Sequence, residues 1–413
     1  MSKAPAVNPG RLLQSVSDFA AIGATPAGGV NRQALTVEDR AARRLLAEQA
    51  LARGFTVFQD EAANLFIRRE GRDAALPPLL IGSHLDSQPT GGRFDGALGT
   101  LSAFEVLEAL ADAGVETERA IEVVAFTNEE GSRFSPGCMG SMAFSGAANL
   151  ADWQAAHGTD DALFADELRA TLEALPEAEI RPAGHAISAF VELHIEQGPV
   201  LERENVPIGI VTGVQGTKWL EVAFSGEAAH AGTTPLEFRK DPMAAAAAAI
   251  ARIQDGIMPA DPEARLTVGR ISAEPGSVNV IPGRVSFTVD IRHPDAEALA
   301  AIERRVHEEC LAAAKRRGCE AAIALRVDMP PGRFAPTVTA AIAASCSALG
   351  IPSRPMVSGA FHDALFVSRV APSAMIFVPC RNGISHNEAE FVSDEHIVTG
   401  ARVLLGVALR LAS

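Results

Sequence analysis

Two short apolar runs, residues 79–82 and 121–126, lie on either side of a stretch, 97–113, that has the pattern of a helix and stops near Gly114. Runs of this kind suit strands buried on both faces. Strand, helix, strand at this spacing predicts a βαβ unit with a parallel sheet. In such sheets functional groups collect at the carboxyl ends of strands. His84 follows the first run and Glu130 the second, and His194 ends a third run at 190–193.

The chain opens with two amphipathic segments, 11–21 and 36–54. Thr36 is placed to cap the second, with Asp39 three residues on. A hairpin is expected at 56–59 and 65–70. After Gly213 the pattern changes to strand (218–225), helix (241–254), strand (266–273), strand (285–292), helix (295–317) and strand (321–327). The order βαββαβ is the ferredoxin-like arrangement. Asp241 is the expected cap of its first helix, Pro242 lies in the first turn, and the alanines that follow leave a smooth face for packing on a sheet. Gly213/Gly216 on entry and Pro330-Pro331-Gly332 on exit read as linkers. Metal-type residues lie on both sides of this module. The expected fold is therefore α/β with two domains: residues 1–213 and 330–413 as a catalytic domain, and 214–329 as an inserted ferredoxin-like domain.

At 413 residues two domains are the natural expectation. The formal charge of −15 argues against nucleic acid or an anionic membrane as a partner. No apolar run approaches a membrane span, and the first residues lack a signal-peptide pattern. Cys138, Cys310, Cys319, Cys346 and Cys380 are odd in number and show no CxxC spacing, as expected of reduced thiols in a cytoplasmic protein.

His84, Asp95, Glu130, His194 and His386 stand in the contexts GSHLDS, GGRFDGALG, TNEEGSRF, ELHIEQGP and GISHNEAE. Nitrogen and carboxylate donors of this sort suit Zn²⁺ or Mn²⁺. Five are too many for one tetrahedral site but enough for two ions if a carboxylate bridges, the arrangement that activates water for hydrolysis. A lone histidine is more often a locally satisfied side chain than a ligand; the grouping favours the metal reading. Asp86, two residues after His84, is placed to accept from its second ring nitrogen, the bland alternative being a solvated turn. Asp95 is equally a cap for the helix at Ala97. Of the adjacent Glu129 and Glu130, one is expected to bind metal and the other to act as a base. Arg292 ends a strand and can hold a carboxylate with two hydrogen bonds, or form a surface ion pair. Asn279 could be a turn residue, and His230 a packed neutral one.

At these motifs, and at HAGTTPLEFRKD, the chain resembles the hydantoinase/carbamoylase branch of the M20 metallopeptidase family, from about Gly82 to Glu390. The resemblance implies two divalent ions (Zn²⁺ or Mn²⁺, with Co²⁺ or Ni²⁺ also compatible) in an α/β catalytic domain, and a ferredoxin-like lid that forms a homodimer. It implies that Asp95 bridges, with His84 and His194 completing one site and Glu130 and His386 the other, and that Glu129 is the general base. It further implies that His230, Asn279, Arg292, Gln197 and the backbone near Gly359 contact substrate, His230 commonly in the partner subunit's site. Where relatives often read SGAGHDA, this chain has SGAFHDA, with Phe361 beside the Gly359 loop, which bears on substrate size. The activity implied is hydrolysis of the carbamoyl C–N bond of an N-carbamoyl-L-amino acid to amino acid, ammonia and CO₂. Allantoate and ureidopropionate present the same ureido group and carboxylate. A peptidase or aminoacylase is further off, because position 194 holds His where peptidases usually carry a carboxylate. A non-catalytic binding module is the contrasting class.

Overall fold

The computed structural model describes residues 4–413. They form two compact units: one runs to Thr212 and resumes at Phe334–Ser413, and the other is Gly213–Arg333.

The first unit is built on a mixed sheet. Its strand order is Ile208–Val214, Ser373–Val378, Ala189–Ile195, Leu79–His84, Ile121–Phe126, Leu65–Arg69, Thr56–Asp60 and Glu179–Arg181. The middle strands, from Ser373–Val378 to Ile121–Phe126, run parallel. Every residue in these parallel strands is buried, as their apolar runs require. Antiparallel neighbours, including the expected 56–70 hairpin, flank them on both sides.

Helix Ala97–Asp112 links two of the parallel strands. It is buried almost all round, because it packs on the sheet and also against Pro9–Ala21 and Asp394–Leu411. The helix Val37–Ala52 starts at the expected cap, where Thr36 accepts the Asp39 N–H at 3.3 Å. Pro9–Ala21 begins two residues earlier than its periodicity suggests, since Asn8 caps it and Pro9 supplies the first turn. No helix among the described residues is long and apolar enough to cross a membrane. All five cysteines are free.

In the second unit an antiparallel sheet carries the strands Gly216–Ser225, Arg284–His293 and Glu320–Met329. Helices Pro242–Ile257 and Ala296–Arg316 pack on it. Alternate strand residues (Leu220, Val222 and Phe224; Val285, Phe287 and Val289) meet Ala245, Ala246 and Ala249 in one core. The short alanine side chains allow the close approach their pattern suggests. The expected strand at 266–273 is two pieces, Arg265–Thr267 and Ile271–Glu274, both paired to Arg284–His293. A two-residue ribbon, Ala229–His230 against Val280–Ile281, was too short to leave a periodic signal.

Candidate metal centre

All the parallel strands deliver polar groups at their carboxyl ends. His84 is the last residue of its strand, and Glu129 and Glu130 follow Ile121–Phe126 within a few residues. His194 lies one residue from the end of Ala189–Ile195, and Ser385 and His386 lie in the segment after Ser373–Val378. Asp95 comes from the turn just before helix Ala97–Asp112. Gly96 makes this turn possible: its φ is +62°, and a Cβ there would sit 2.3 Å from the His84 ring.

Asp95 faces two ways. Its Oδ1 lies 3.1 Å from His194 Nε2 and 3.6 Å from His84 Nε2. Its Oδ2 lies 3.6 Å from His386 Nε2, which is itself 3.3 Å from Glu130 Oε2. The trios His84–Asp95–His194 and Asp95–Glu130–His386 each bring three ligand atoms within reach of one ion. The five predicted ligands are therefore gathered, with Asp95 common to both groups.

The imidazole tautomers test whether cations belong there. His84 Nδ1 donates to the Asp86 carbonyl and His194 Nδ1 to the Ile195 carbonyl, each at 3.0 Å. A carbonyl only accepts, so the proton of each ring sits on Nδ1. In the neutral ring each Nε2 is then a bare lone pair, buried without a hydrogen-bond partner and aimed at a carboxylate oxygen. Two acceptors facing each other in a buried site call for a cation between them. Electrostatics agrees. Burial pulls the His84 imidazole down, but Glu129, Asp95 and Asp86 outweigh it and hold it well above its usual range. Burial drives Glu129 well above the carboxylate range and, helped by Asp95, lifts Glu130 to about 8. Among the described residues no Lys or Arg forms an ion pair with Asp95, Glu129 or Glu130; the groups that face these carboxylates are imidazoles, so a divalent cation would find both oxygen and nitrogen donors there.

Asp86 corrects one expectation. The His84 ring nitrogen bonds the backbone carbonyl of Asp86, and the carboxylate Oδ1 stands 3.7 Å off. That carboxylate instead accepts the backbone N–H groups of Glu129 and Glu130, each at 3.2 Å. Glu129 is nearly buried, with Oε2 3.5 Å from His84 Nε2. Gln197 touches the centre directly, donating from Nε2 to Asp95 Oδ2 at 2.8 Å.

His230 is exposed, and its Nδ1 accepts the backbone N–H of Gly232 at 3.1 Å and of Thr233 at 3.2 Å, which leaves the ring proton on Nε2. The Asn279 carbonyl accepts the Ala231 N–H at 2.9 Å, so the short ribbon brings Asn279 and His230 side by side. Arg292 donates to Asp290 at 2.9 Å. Gly359 lies exposed in the loop after Ser353–Ser358, and Phe361 is half-buried.

Several neighbours carried no signal of their own. Gln88 donates to Glu130 Oε2 at 2.7 Å, and Ser385 to Asp95 Oδ2 at 2.8 Å. Neutral polar residues like these are common in any loop. His362 and Glu390 lie inside the motifs SGAFHDA and GISHNEAE, where their adjacency to the ligand positions was the available hint. The His362 ring packs edge-on against His194 at 4.6 Å, and burial keeps it neutral.

A sheet whose parallel middle strands bring together two candidate ligand trios that share one carboxylate is the frame of a metal-dependent hydrolase. Residues 80–410 match the model of peptidase family M20/M25/M40, and the chain belongs to that family, in its hydantoinase/carbamoylase branch. It is 40% identical to an N-carbamoyl-L-amino-acid amidohydrolase of Rhizobium meliloti over 98% of this chain and 97% of that one. It is 31% identical to a ureidoglycolate hydrolase of Oryza sativa subsp. japonica, covering 97% of this chain and 84% of that one. A crystal structure of a hydantoinase/carbamoylase family amidase from Burkholderia multivorans superposes with a TM-score of 0.94 at 43% identity, covering 99% of each chain.

Proposed function

We propose that this enzyme hydrolyses the carbamoyl C–N bond of N-carbamoyl-L-amino acids, yielding amino acid, ammonia and CO₂. The observation that carries the reading is Asp95, whose two oxygens face two separate ligand groups. Two divalent ions (Zn²⁺ or Mn²⁺, with Co²⁺ or Ni²⁺ compatible), held by His84, Asp95 and His194 and by Asp95, Glu130 and His386, would lower the pKa of water toward neutrality and polarise the ureido carbonyl.

Glu129 takes a proton from the attacking water and hands it to the departing nitrogen. Water oxygen bonds to the ureido carbon as the C–N bond breaks, and the carbamic acid released decomposes to CO₂ and ammonia. His230 donates its Nε2 proton in a hydrogen bond to the carbonyl oxygen as that atom gains negative charge, an interaction typically worth about 3 kcal/mol. The fixed tautomer of its ring supports this role. Arg292 and Asn279 anchor the substrate carboxylate, Gln197 lies beside the ureido group, and the backbone near Gly359 meets the substrate. Residues 214–329 serve as the lid, closing over residues 1–213 and 330–413, and as the homodimer contact. A cytoplasmic location fits the five free thiols.

Ureidoglycolate hydrolase relatives favour a second reading with the same chemistry on another ureido carboxylate. Metal analysis with a substrate panel, read by ammonia release for the ureido compounds and by amino-acid release for dipeptides, separates the possibilities. The expected result is two ions per chain and fastest release from N-carbamoyl-L-amino acids. Faster turnover of ureidoglycolate, allantoate or ureidopropionate would move the substrate assignment. Cleavage of dipeptides alone, or no turnover by metal-loaded protein, would overturn it.

A further inference from the structure

We infer that Glu390 is a positioning residue for Asp95, and that it holds together the half-centre formed by Asp95, Glu130 and His386. The inference rests on the two-ion reading above. Glu390 is only 3% exposed, and its Oε1 accepts the backbone N–H of both Phe94, at 3.0 Å, and Asp95, at 3.1 Å. Its other oxygen is buried with no hydrogen-bond partner, so the polar work of this side chain is directed at those two amides. Gly92 is shaped around it: a Cβ there would lie 2.0 Å from Glu390 Oε1.

The segment that carries Glu390 also carries His386. The Glu390 N–H donates to the Asn387 carbonyl at 3.0 Å, and the Ala389 N–H donates to Asn387 Oδ1 at 2.9 Å. His386 itself has φ +54°, a left-handed conformation that a residue with a side chain keeps only when its surroundings hold it. Phe391 meets the Phe94 ring edge-on at 6.3 Å, and Glu388 accepts a hydrogen bond from Thr25 Oγ1. Glu390 thus pins the segment bearing His386 to the turn bearing Asp95.

The two half-centres differ in what supports them. His84 and His194 are buried in paired strands, and the sheet holds them. The His386 ring is 50% exposed and sits in a loop. Loss of Glu390 frees two buried amides and lets the Asp95 turn part from the His386 segment; the other side shares Asp95 but keeps His84 and His194 fixed by the sheet.

Metal-free wild type, Glu390→Ala, Glu390→Gln and Gly92→Ala are titrated with Zn²⁺ against a chromophoric chelator, with circular dichroism to check folding. Wild type should take up two ions. Glu390→Ala should hold one ion near wild-type affinity and the other about 10–100-fold more weakly, the usual cost of losing a partner that orients a ligand. Glu390→Gln keeps the accepting oxygen and should bind close to wild type. Gly92→Ala, which displaces Glu390 from the other side, should follow Glu390→Ala and carries the test if that variant does not fold. Equal weakening of both ions, no weakening, or failure of Gln to restore binding would overturn the role of Glu390. Uptake of a single ion by wild type would overturn the two-ion reading and this inference with it.

Discussion

Asp86 Oδ2 accepts the backbone N–H of Glu130 at 3.2 Å, so the segment after one strand grips the loop that follows the next. Oδ1 does the same for Glu129, and the Asp86 carbonyl accepts a hydrogen bond from His84 Nδ1. One residue therefore orients two proposed ligands and the proposed base.

Removing that grip should loosen the centre without emptying it. Asp86→Ala is expected to weaken metal binding by about 10–100-fold, measured by chelator competition. Wild-type affinity in a folded Asp86→Ala protein would show that the loop holds Glu129 and Glu130 unaided.

Glu129 is beside the ligands but is not needed in either trio. Glu129→Gln should lower kcat by roughly 10²–10⁴-fold while metal content stays at the wild-type level. Near-normal turnover would remove Glu129 from proton transfer.

For Arg292, substitution by Ala should raise KM for carboxylate-bearing ureido substrates, with a smaller effect on kcat. A substrate analogue with the carboxylate replaced by an amide should respond much less. An unchanged KM would leave Arg292 as the ion-pair partner of Asp290.

Glu122 offers a pH test away from the centre. Burial pushes its carboxyl up, but hydrogen bonds from His185 and Arg181 outweigh this and bring it to about 2 from an ordinary 4.5. A carboxyl held lower in the folded state adds stability that is fully present above 4.5 and lost as pH falls toward 2. Glu122→Gln should therefore cost ~3 kcal/mol at neutral pH, and its gap from wild type in urea melts should close across that acid window. An equal gap at both ends would mean that packing, not charge, is responsible.

Much of this was readable along the chain. The buried parallel strands announced themselves because both their faces are covered, which demands near-continuous apolar residues. Thr36 and Asp241 were legible as caps because a cap bonds an amide only three residues ahead. The five proposed ligands stood out because histidines and carboxylates at strand ends have few bland uses in combination. The ribbon that brings His230 to Asn279 was not legible, since two residues per strand carry no period.

By itself, then, the sequence determined the elements, their order and the kinds of donor delivered to one edge of the sheet, for these depend on neighbours within a few turns of chain. Only the tertiary structure decided which atom meets which: that Asp86 uses its backbone for His84 and its carboxylate for Glu129 and Glu130, and that Glu390 sits beneath Asp95 from 295 residues away. Such contacts arise when strands distant in sequence become neighbours in the sheet, and no local period or propensity encodes which neighbours those will be.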